Sequence, residues 1–327
     1  MKITGKLIAI SMFIFIVSCI TFDNNSYAMD IFDSKTNSYF IGHRGSSGSA
    51  PENTVIAIKK AFKDKYDAVA IDPRLTADNK LVLCHDETSY GVLNKSMWID
   101  KTKYKMLTSR CYKKKKAFGM KGVKLCTLDE ALKYINKYNK NHPGSRKRLY
   151  IKLSPLNETA RKFDMTQEKK AARLIKTYKA ILRCIEKNKF PINRITFWSF
   201  GIEDLDAMHS LYPNAKYEWC MDVKDDIQFM NTINTARDVV TGAYDLYGYN
   251  YITGKNFSMK GSSFTLYACT GNYYIPDESM APYIRELKER YNVEIVCGML
   301  KGNKKSLSKI IKKFNKVGIY KFVMDNR

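Results

Sequence analysis

Residues 39–63, YFIGHRGSSGSAPENTVIAIKKAFK, contain the change of periodicity that decides the fold. Tyr39 to Ile41 is a short apolar run typical of a buried strand, and a stretch rich in Gly, Ser and Pro follows it. From Thr54 to Lys63 the apolar residues recur at helical spacing. A strand, a polar loop and a helix in this order predict one βα unit.

The same alternation continues to the end of the chain. The apolar runs that we interpret as further strands are 68–71, 81–83, 149–153, 194–198, 215–220, 293–297 and 320–324. Helical periodicity lies between many of them, and Thr127 with Glu130 forms a predicted capping box at the start of one such helix. Repeated βα units predict an α/β protein, and their number suits a closed (β/α)8 TIM barrel better than an open sheet. The segment 242–274, rich in Tyr, Gly, Asn and Ser, is interpreted as a long loop at the active-site face.

The first 28 residues have the pattern of a secretory signal. Two lysines precede the apolar run 7–17, and residues 26–28 place small side chains where a signal peptidase reads. We favour cleavage over a retained anchor, because a membrane span needs roughly 20 apolar residues. A second interpretation is lipid attachment, since residues 16–19 resemble a bacterial lipobox that ends in Cys19. Either alternative predicts a secreted protein or one attached to the outer surface of the membrane.

The composition predicts a globular protein with anionic partners. Of the 327 residues, 45% are hydrophobic and 27% are charged, and no linker interrupts residues 29–327, which we interpret as one domain. The formal charge is +24, and removing residues 1–28 lowers it to +23. Such a charge favours phosphate-bearing substrates, anionic membranes or wall polymers. We find no nucleic-acid-binding motif, and the run Lys113 to Lys116 is interpreted as a solvated loop.

Two histidines are the strongest candidates for chemistry. His43 and His85 each follow an apolar strand run, and residues at the carboxyl ends of barrel strands form the active site in TIM barrels. Histidines titrate close to neutral pH, so the pair can act as general acid and general base. Arg44 can donate two hydrogen bonds to one phosphate group. Asp72 ends a strand run and Glu52 precedes a helix, so either carboxylate could bind a cation.

These residues, in this order, resemble the glycerophosphodiester phosphodiesterases. The resemblance lies in IGHRGSSGSAPENT at 41–54 and IDPRLTADNKLVLCHDET at 71–88; it is clear over 38–155 and faint over 194–327. It implies a TIM barrel of the phosphatidylinositol-phospholipase-C-like phosphodiesterase type. It also implies hydrolysis of glycerophosphodiesters, or of a glycerophosphoryl polymer, to sn-glycerol 3-phosphate and an alcohol. By the family pattern His43 and His85 are the acid–base pair, and Arg44 and Lys152 bind the phosphate.

The chain departs from the family pattern where a divalent cation, usually calcium or magnesium, is implied. The family's Glu-x-Asp is Ala70-Ile71-Asp72 here, and its Glu-x-Lys is Tyr150-Ile151-Lys152. Glu52 and Asp72 remain as candidate ligands, which predicts a weak or incomplete metal site. Metal-independent phosphatidylinositol phospholipases C carry an arginine instead of the metal, at a position that aligns with Asp72; Arg74 lies two residues further on.

Three functions follow from this departure. The first is a phosphodiesterase with a weakened or rebuilt metal site. The second is a barrel that binds glycerophosphoryl groups of lipids or wall polymers without cleaving them. The third is a phospholipase-like enzyme that uses intramolecular attack and no tightly bound metal. The retained histidines favour hydrolysis, which is the function we predict.

Overall fold

The computed structural model describes residues 38–241, 250–256, 265–269 and 274–325. The predicted signal, residues 1–28 with the alternative lipid-attachment site at Cys19, lies outside these ranges. Within them, eight parallel strands close into a barrel in the order β1-β10-β9-β8-β7-β6-β5-β2. The predicted (β/α)8 TIM barrel is therefore confirmed. The barrel strands are β1 Tyr39–His43, β2 Ala68–Ile71, β5 Arg148–Lys152, β6 Ile195–Ser199, β7 Lys216–Asp222, β8 Thr265–Cys269, β9 Ile295–Leu300 and β10 Lys321–Met324.

Helices pack around the outside of the barrel, and their starts follow the capping signals in the sequence. Thr54 accepts a hydrogen bond from the Ala57 N–H at the first helix, and Thr127 with Glu130 forms the predicted capping box at the third. The described helices are α1 Val55–Lys63, α2 Tyr104–Thr108, α3 Leu128–Asn141, α4 Asn157–Lys162, α5 Gln167–Lys187, α6 Ile202–Leu211, α7 Asp226–Thr241, α8 Ala281–Tyr291 and α9 Lys304–Lys316. None of the described helices is both long enough and apolar enough to cross a membrane.

The apolar run 81–83 is a strand, but it is not a strand of the barrel. Strand β4, Leu81–Leu83, pairs antiparallel with β3, Pro73–Leu75, in a separate two-stranded sheet. The expectation that His85 ends a barrel strand is therefore wrong. A short continuous apolar run predicts a strand without indicating which sheet the strand joins, since a hairpin strand and a barrel strand can bury the same residue types.

The interpretation of 242–274 as loop needs correction in part. Strand β8, Thr265–Cys269, lies inside this segment and pairs in parallel with both β7 and β9, so it closes the barrel. Residues 242–249, 257–264 and 270–273 lie outside the described ranges. The strand was missed because its run is short and the flanking Gly, Ser and Asn residues dominate the local composition.

The segment 86–125 forms a small insertion between β4 and α3. It has an apolar core of its own, built from side chains such as Leu93, Ile99 and Leu107, each no more than 1% exposed. The buried side chain of Tyr112 joins this insertion to the loop after β1, because its hydroxyl donates to the Glu52 carbonyl oxygen at 2.9 Å. The insertion is thereby fixed beside the residues that the sequence assigned to the site.

Candidate active site

His43 ends β1 and is held by a buried carboxylate. Its Nδ1 lies 3.1 Å from Oδ1 of Asp325, the residue that follows β10, and both side chains are almost fully buried. The other carboxylate oxygen of Asp325 lies 3.3 Å from Nζ of Lys301. A carboxylate on Nδ1 fixes that nitrogen as the protonated one and leaves Nε2 to act on a substrate. Strands β1 and β10 are neighbours in the barrel, which explains how residues 282 positions apart meet.

His85 reaches the same site from the loop that follows β4. The centroids of the His43 and His85 rings are 6.5 Å apart, with the rings nearly perpendicular. Nδ1 of His85 lies 2.7 Å from Oδ1 of Asp86, and its Nε2 lies 3.1 Å from Nζ of Lys152. Each histidine therefore has a carboxylate on Nδ1, which is the arrangement of a positioned acid–base pair.

Arg74 fixes the loop that carries His85. Its buried guanidinium donates to the carbonyl oxygens of Cys84, His85 and Pro155 at 2.7–3.2 Å. The N–H groups of Arg74 that form these hydrogen bonds therefore all donate to backbone oxygens. Arg74 positions His85 and does not take the place that an arginine occupies in the metal-independent phospholipases.

Arg44 and two carboxylates form the floor of the site beside His43. Nη1 of Arg44 donates to Oε1 of Glu52 at 2.9 Å, and its Nε lies 3.8 Å from Oδ2 of Asp72. Asn53 holds Asp72 twice: its amide donates to Oδ2 at 2.8 Å, and its Oδ1 accepts from the Asp72 N–H. Among the described residues, Nε of Arg44 and Oδ1 of Asp72 are buried without a hydrogen-bond partner. One donor and one acceptor therefore remain for a ligand.

Burial and neighbouring charges shift the pKa of these groups in different directions. Burial lowers the pKa of His43, and the hydrogen bond to Asp325 offsets only part of that effect, so the ring is neutral at neutral pH. Burial alone would raise the pKa of Asp72, but nearby His85, Lys152 and Arg44 hold it well below the ordinary value. Burial also lowers the pKa of Lys152, with Asp72 acting in the opposite direction.

Apolar side chains occupy the positions where the resemblance implies metal-binding carboxylates. Ala70 and Tyr150 are register partners on β2 and β5, and both belong to the apolar cluster inside the barrel. Trp198 belongs to that cluster too, and Nζ of Lys152 lies 5.4 Å from the centroid of its ring. Lys152 therefore extends its ammonium group over an aromatic surface toward His85.

The residues present do not fit a divalent cation. Glu52 is already paired with Arg44, and Asp72 has one free oxygen, whereas calcium takes six to eight oxygen ligands and magnesium six. In the part of the chain that the structure describes, no group of three or more His, Cys, Asp and Glu side chains is arranged to hold a metal. Lys152 and Arg44 are among the groups that lower the pKa of Asp72, and such cations beside the carboxylate oppose a further positive ion.

The structure brings together all six residues that the sequence singled out, namely His43, Arg44, Glu52, Asp72, His85 and Lys152. Sequence reasoning missed three side chains that position them. Asn53 could have been noted from its place beside Glu52, but nothing local in the sequence pairs Asp325 with His43. Arg74 was considered only as a substitute for the metal.

Comparison with known proteins agrees with this geometry. The sequence model of the glycerophosphoryl diester phosphodiesterase family matches residues 43–245. An uncharacterized protein of Mycoplasma genitalium is 30% identical over 203 residues, which are 60% of this chain and 71% of the relative. The glycerophosphodiester phosphodiesterase of Bacillus subtilis is 28% identical over 182 residues, which are 53% of this chain and only 56% of that enzyme.

Solved structures share the fold. A phosphodiesterase of Oleispira antarctica, solved with the product sn-glycerol-3-phosphate, aligns over 88% of this chain and 92% of its own, with a TM-score of 0.59 and 18% identity. A glycerophosphodiester phosphodiesterase of Agrobacterium tumefaciens aligns over 88% and 97%, with a TM-score of 0.56 and 17% identity. At such identities the likeness shows the barrel architecture alone.

Proposed function

Because this chain belongs to the glycerophosphoryl diester phosphodiesterase family, a family of phosphoric diester hydrolases, we propose that it cleaves glycerophosphodiesters to sn-glycerol 3-phosphate and an alcohol. The observation that carries the proposal is the pair His43 and His85, whose ring centroids lie 6.5 Å apart with a carboxylate on each Nδ1. The Oleispira enzyme supports the choice of product, since it was solved with sn-glycerol-3-phosphate. The reaction would belong to lipid and glycerol metabolism.

The substrate phosphate would lie between the two rings and against the cations. The free Nε of Arg44 donates to one phosphate oxygen, and the ammonium group of Lys152 contacts another. The free Oδ1 of Asp72 accepts a hydrogen bond from a glycerol hydroxyl, which orients the glycerol moiety beside the phosphorus atom. These contacts use two buried polar atoms of the site that have no hydrogen-bond partner among the described residues.

The environments of the two histidines assign their roles. His43 is buried and neutral, with Nδ1–H on Asp325, so its Nε2 accepts a proton from the water molecule whose oxygen forms the new bond to phosphorus. His85 is more exposed, with 29% of its side chain accessible, and stands where a leaving alcohol can reach solvent. As the P–O bond to the alcohol breaks, His85 gives that oxygen the proton of its Nε2, which can be protonated because the Lys152 ammonium that faces Nε2 in the free site has turned to a phosphate oxygen. Solvent then carries the proton from His43 back to His85.

No step of this scheme passes through a metal ion, because the side chains present do not fit one. Arg44 and Lys152 supply the positive charges that stabilise the negative charge on the oxygens of the phosphorane. Lys152 is well placed for this role, since it lies on the apolar surface made by Trp198 and close to His85. A low-dielectric surrounding strengthens its interaction with an anion.

The location of the enzyme is also part of the proposal. The signal pattern of residues 1–28 supports secretion or attachment at the outer surface of the membrane, and the charge of +23 supports binding to an anionic membrane or wall polymer. Electrostatic attraction of this kind weakens as salt rises, since the Debye length is about 8 Å at physiological ionic strength.

Release of glycerol 3-phosphate from glycerophosphocholine tests the activity, first with a chelator and then with added calcium or magnesium. We expect release in the chelator, and loss of release with unchanged thermal unfolding in His85→Ala, because that side chain lies at the rim. Release only with added cation would contradict the metal-free scheme.

The second candidate is a barrel that binds glycerophosphoryl groups without turnover, favoured by the loss of carboxylates at Ala70 and Tyr150. Absence of release from glycerophosphocholine, glycerophosphoinositol and polyglycerophosphate in every condition would favour this candidate over hydrolysis.

A further inference from the structure

The insertion carries a strongly basic segment with apolar side chains at its tip. Residues 110–125, RCYKKKKAFGMKGVKL, hold seven Lys and Arg residues and no Asp or Glu. Within this segment Phe118 is 44% exposed and Met120 is 39% exposed. Single exposed apolar residues are ordinary, but two large ones in the middle of seven cations are not explained by packing.

The backbone of this segment is built to project its tip. Tyr112, Ala117 and Val123 at its base are buried in the core of the insertion, and the Tyr112 N–H donates to the Val123 carbonyl oxygen at 2.8 Å. Between these anchors Phe118 adopts a left-handed conformation with φ 50°, which is uncommon for a non-glycine residue. In this conformation Phe118 is partly exposed, although the adjacent Ala117 is buried.

The neighbourhood of the tip is open. A Cβ atom built on Gly119 or Gly122 would meet no atom within 4 Å. Beside the tip, Tyr90 is 69% exposed, and Nζ of Lys113 lies 4.3 Å from the centroid of its ring. Lys114, Lys115, Lys121 and Lys124 are exposed around these apolar groups. Cations surrounding projecting apolar side chains match a surface that has anionic headgroups above an apolar interior.

We propose that this tip, residues 113–124 together with Tyr90, docks the protein on an anionic phospholipid bilayer. The lysines bind headgroup phosphates, and Phe118 with Met120 enters the boundary between headgroups and acyl chains. A wall polymer shares the phosphate charge but offers no apolar interior, so it would leave the two exposed apolar side chains unused. The bilayer is therefore the occupant that accounts for both features.

The docking tip is connected to the active site. The Tyr112 hydroxyl donates to the Glu52 carbonyl oxygen, and the Glu52 side chain pairs with Arg44. The base of the tip is therefore joined to the loop that carries Arg44 and Glu52. The inference deepens the proposed surface location but does not depend on catalysis, since vesicle binding and hydrolysis of soluble glycerophosphocholine are measured separately.

Flotation of the full chain with vesicles of phosphatidylcholine, with and without phosphatidylglycerol, tests the proposal. Wild type is expected to float better with the anionic vesicles than with the neutral ones, and this difference should shrink at high salt. Lys114→Glu with Lys115→Glu should weaken binding more than about 25-fold. Losing the two lysines alone removes about 2 kcal/mol, which is about 25-fold, and the two glutamates add repulsion from the anionic headgroups. Phe118→Ser with Met120→Ser leaves the charge unchanged and should weaken binding at least about tenfold.

The control is Lys305→Glu with Lys309→Glu, which makes the same change of net charge at two exposed lysines on α9. It should alter binding by less than about twofold, because these charges lie on a barrel helix and are screened within roughly 10 Å. All variants carry the same residues 1–28, so that segment cancels in each ratio. Hydrolysis of soluble substrate should be unchanged throughout.

Two results would overturn the proposal. If the serine variant floats like wild type, the apolar tip does not enter the bilayer. If soluble polyglycerophosphate binds wild type as tightly as the vesicles and the serine variant equally well, the basic segment is a polyanion site. A failure of catalysis in wild type would leave the flotation result intact and would count only against the proposed hydrolysis.

Discussion

Replacing Lys152 by methionine tests whether a side chain supplies the positive charge that a metal would otherwise bring. Methionine has a similar length and keeps the apolar contact with Trp198, while the charge 3.1 Å from His85 Nε2 is lost. The fold should survive, because a neutral side chain on this apolar surface needs no partner. We therefore expect the effect on activity to be chemical and not structural.

The magnitude follows from the geometry. Two unit charges about 4 Å apart interact by about 4 kcal/mol at an effective dielectric constant of about 20. Removing one preorganised donor at a developing negative charge lowers kcat by about 10² to 10³ in comparable sites. Arg44 remains in Lys152→Met, so we expect kcat to fall about 100-fold while the affinity for glycerol 3-phosphate falls less.

Release of glycerol 3-phosphate from glycerophosphocholine in the presence of a chelator measures kcat, and calorimetric titration with glycerol 3-phosphate measures binding. Lys140→Met on α3 is the matched control, because it removes the same charge at an exposed position. Turnover within about threefold of wild type in Lys152→Met would refute the reasoning. Recovery of the lost turnover by magnesium or calcium would refute it as well.

Three further predictions concern the barrel interior. Asp325→Asn should lower kcat at least about 100-fold and move the acid limb of the pH–rate profile to lower pH, because the carboxylate raises the pKa of His43; an unshifted limb would contradict this. Burial raises the pKa of Glu218 from 4.5 to about 8, so the free energy of unfolding of wild type should fall as the pH rises from 4.5 to 8. Glu218→Gln should lack this pH dependence, and urea unfolding at pH 8 should show it to be on the order of 3 kcal/mol more stable than wild type. Ala70→Glu with Tyr150→Glu should create calcium binding measurable by calorimetry, since the two positions are register partners; equal binding by wild type would show that a site already exists.

The sequence was sufficient for the parts of the molecule that depend on local physics. The helix that begins after Thr127 starts where its capping box predicts, because both hydrogen bonds of the box lie within one turn. The run 149–153 was predicted as a strand, and β5 covers Arg148–Lys152, because apolar runs are typical of parallel strands buried on both faces. His43, Arg44 and Glu52 were identified together because a single loop carries them.

The remainder depends on partners that lie far away in the chain. Asp325 contacts His43 only because β1 and β10 pair and close the barrel. The pattern of apolar residues along the sequence does not indicate which strands pair. Strand β8 could not be separated from its loop, since its few apolar residues lie among Gly, Ser and Asn. His85 was placed beside His43 through an incorrect element, because it follows the hairpin β3–β4 and not a barrel strand.

The losses at positions 70 and 150 and the position of Lys152 form one electrostatic arrangement. Buried carboxylates without a cation would leave uncompensated charge, which is costly in a low-dielectric interior. In a site without a divalent cation, carboxylates at positions 70 and 150 would have no positive charge to neutralise them. Ala70 and Tyr150 are uncharged, which avoids this cost. Asp72 can remain, because Asn53 donates to it and the cations Arg44 and Lys152 face it. Glu52 and Asp72 balance the charges of Arg44 and Lys152 in the free site, so a bound phosphodiester is stabilised by the position of these two cations beside it and not by a net positive charge of the site.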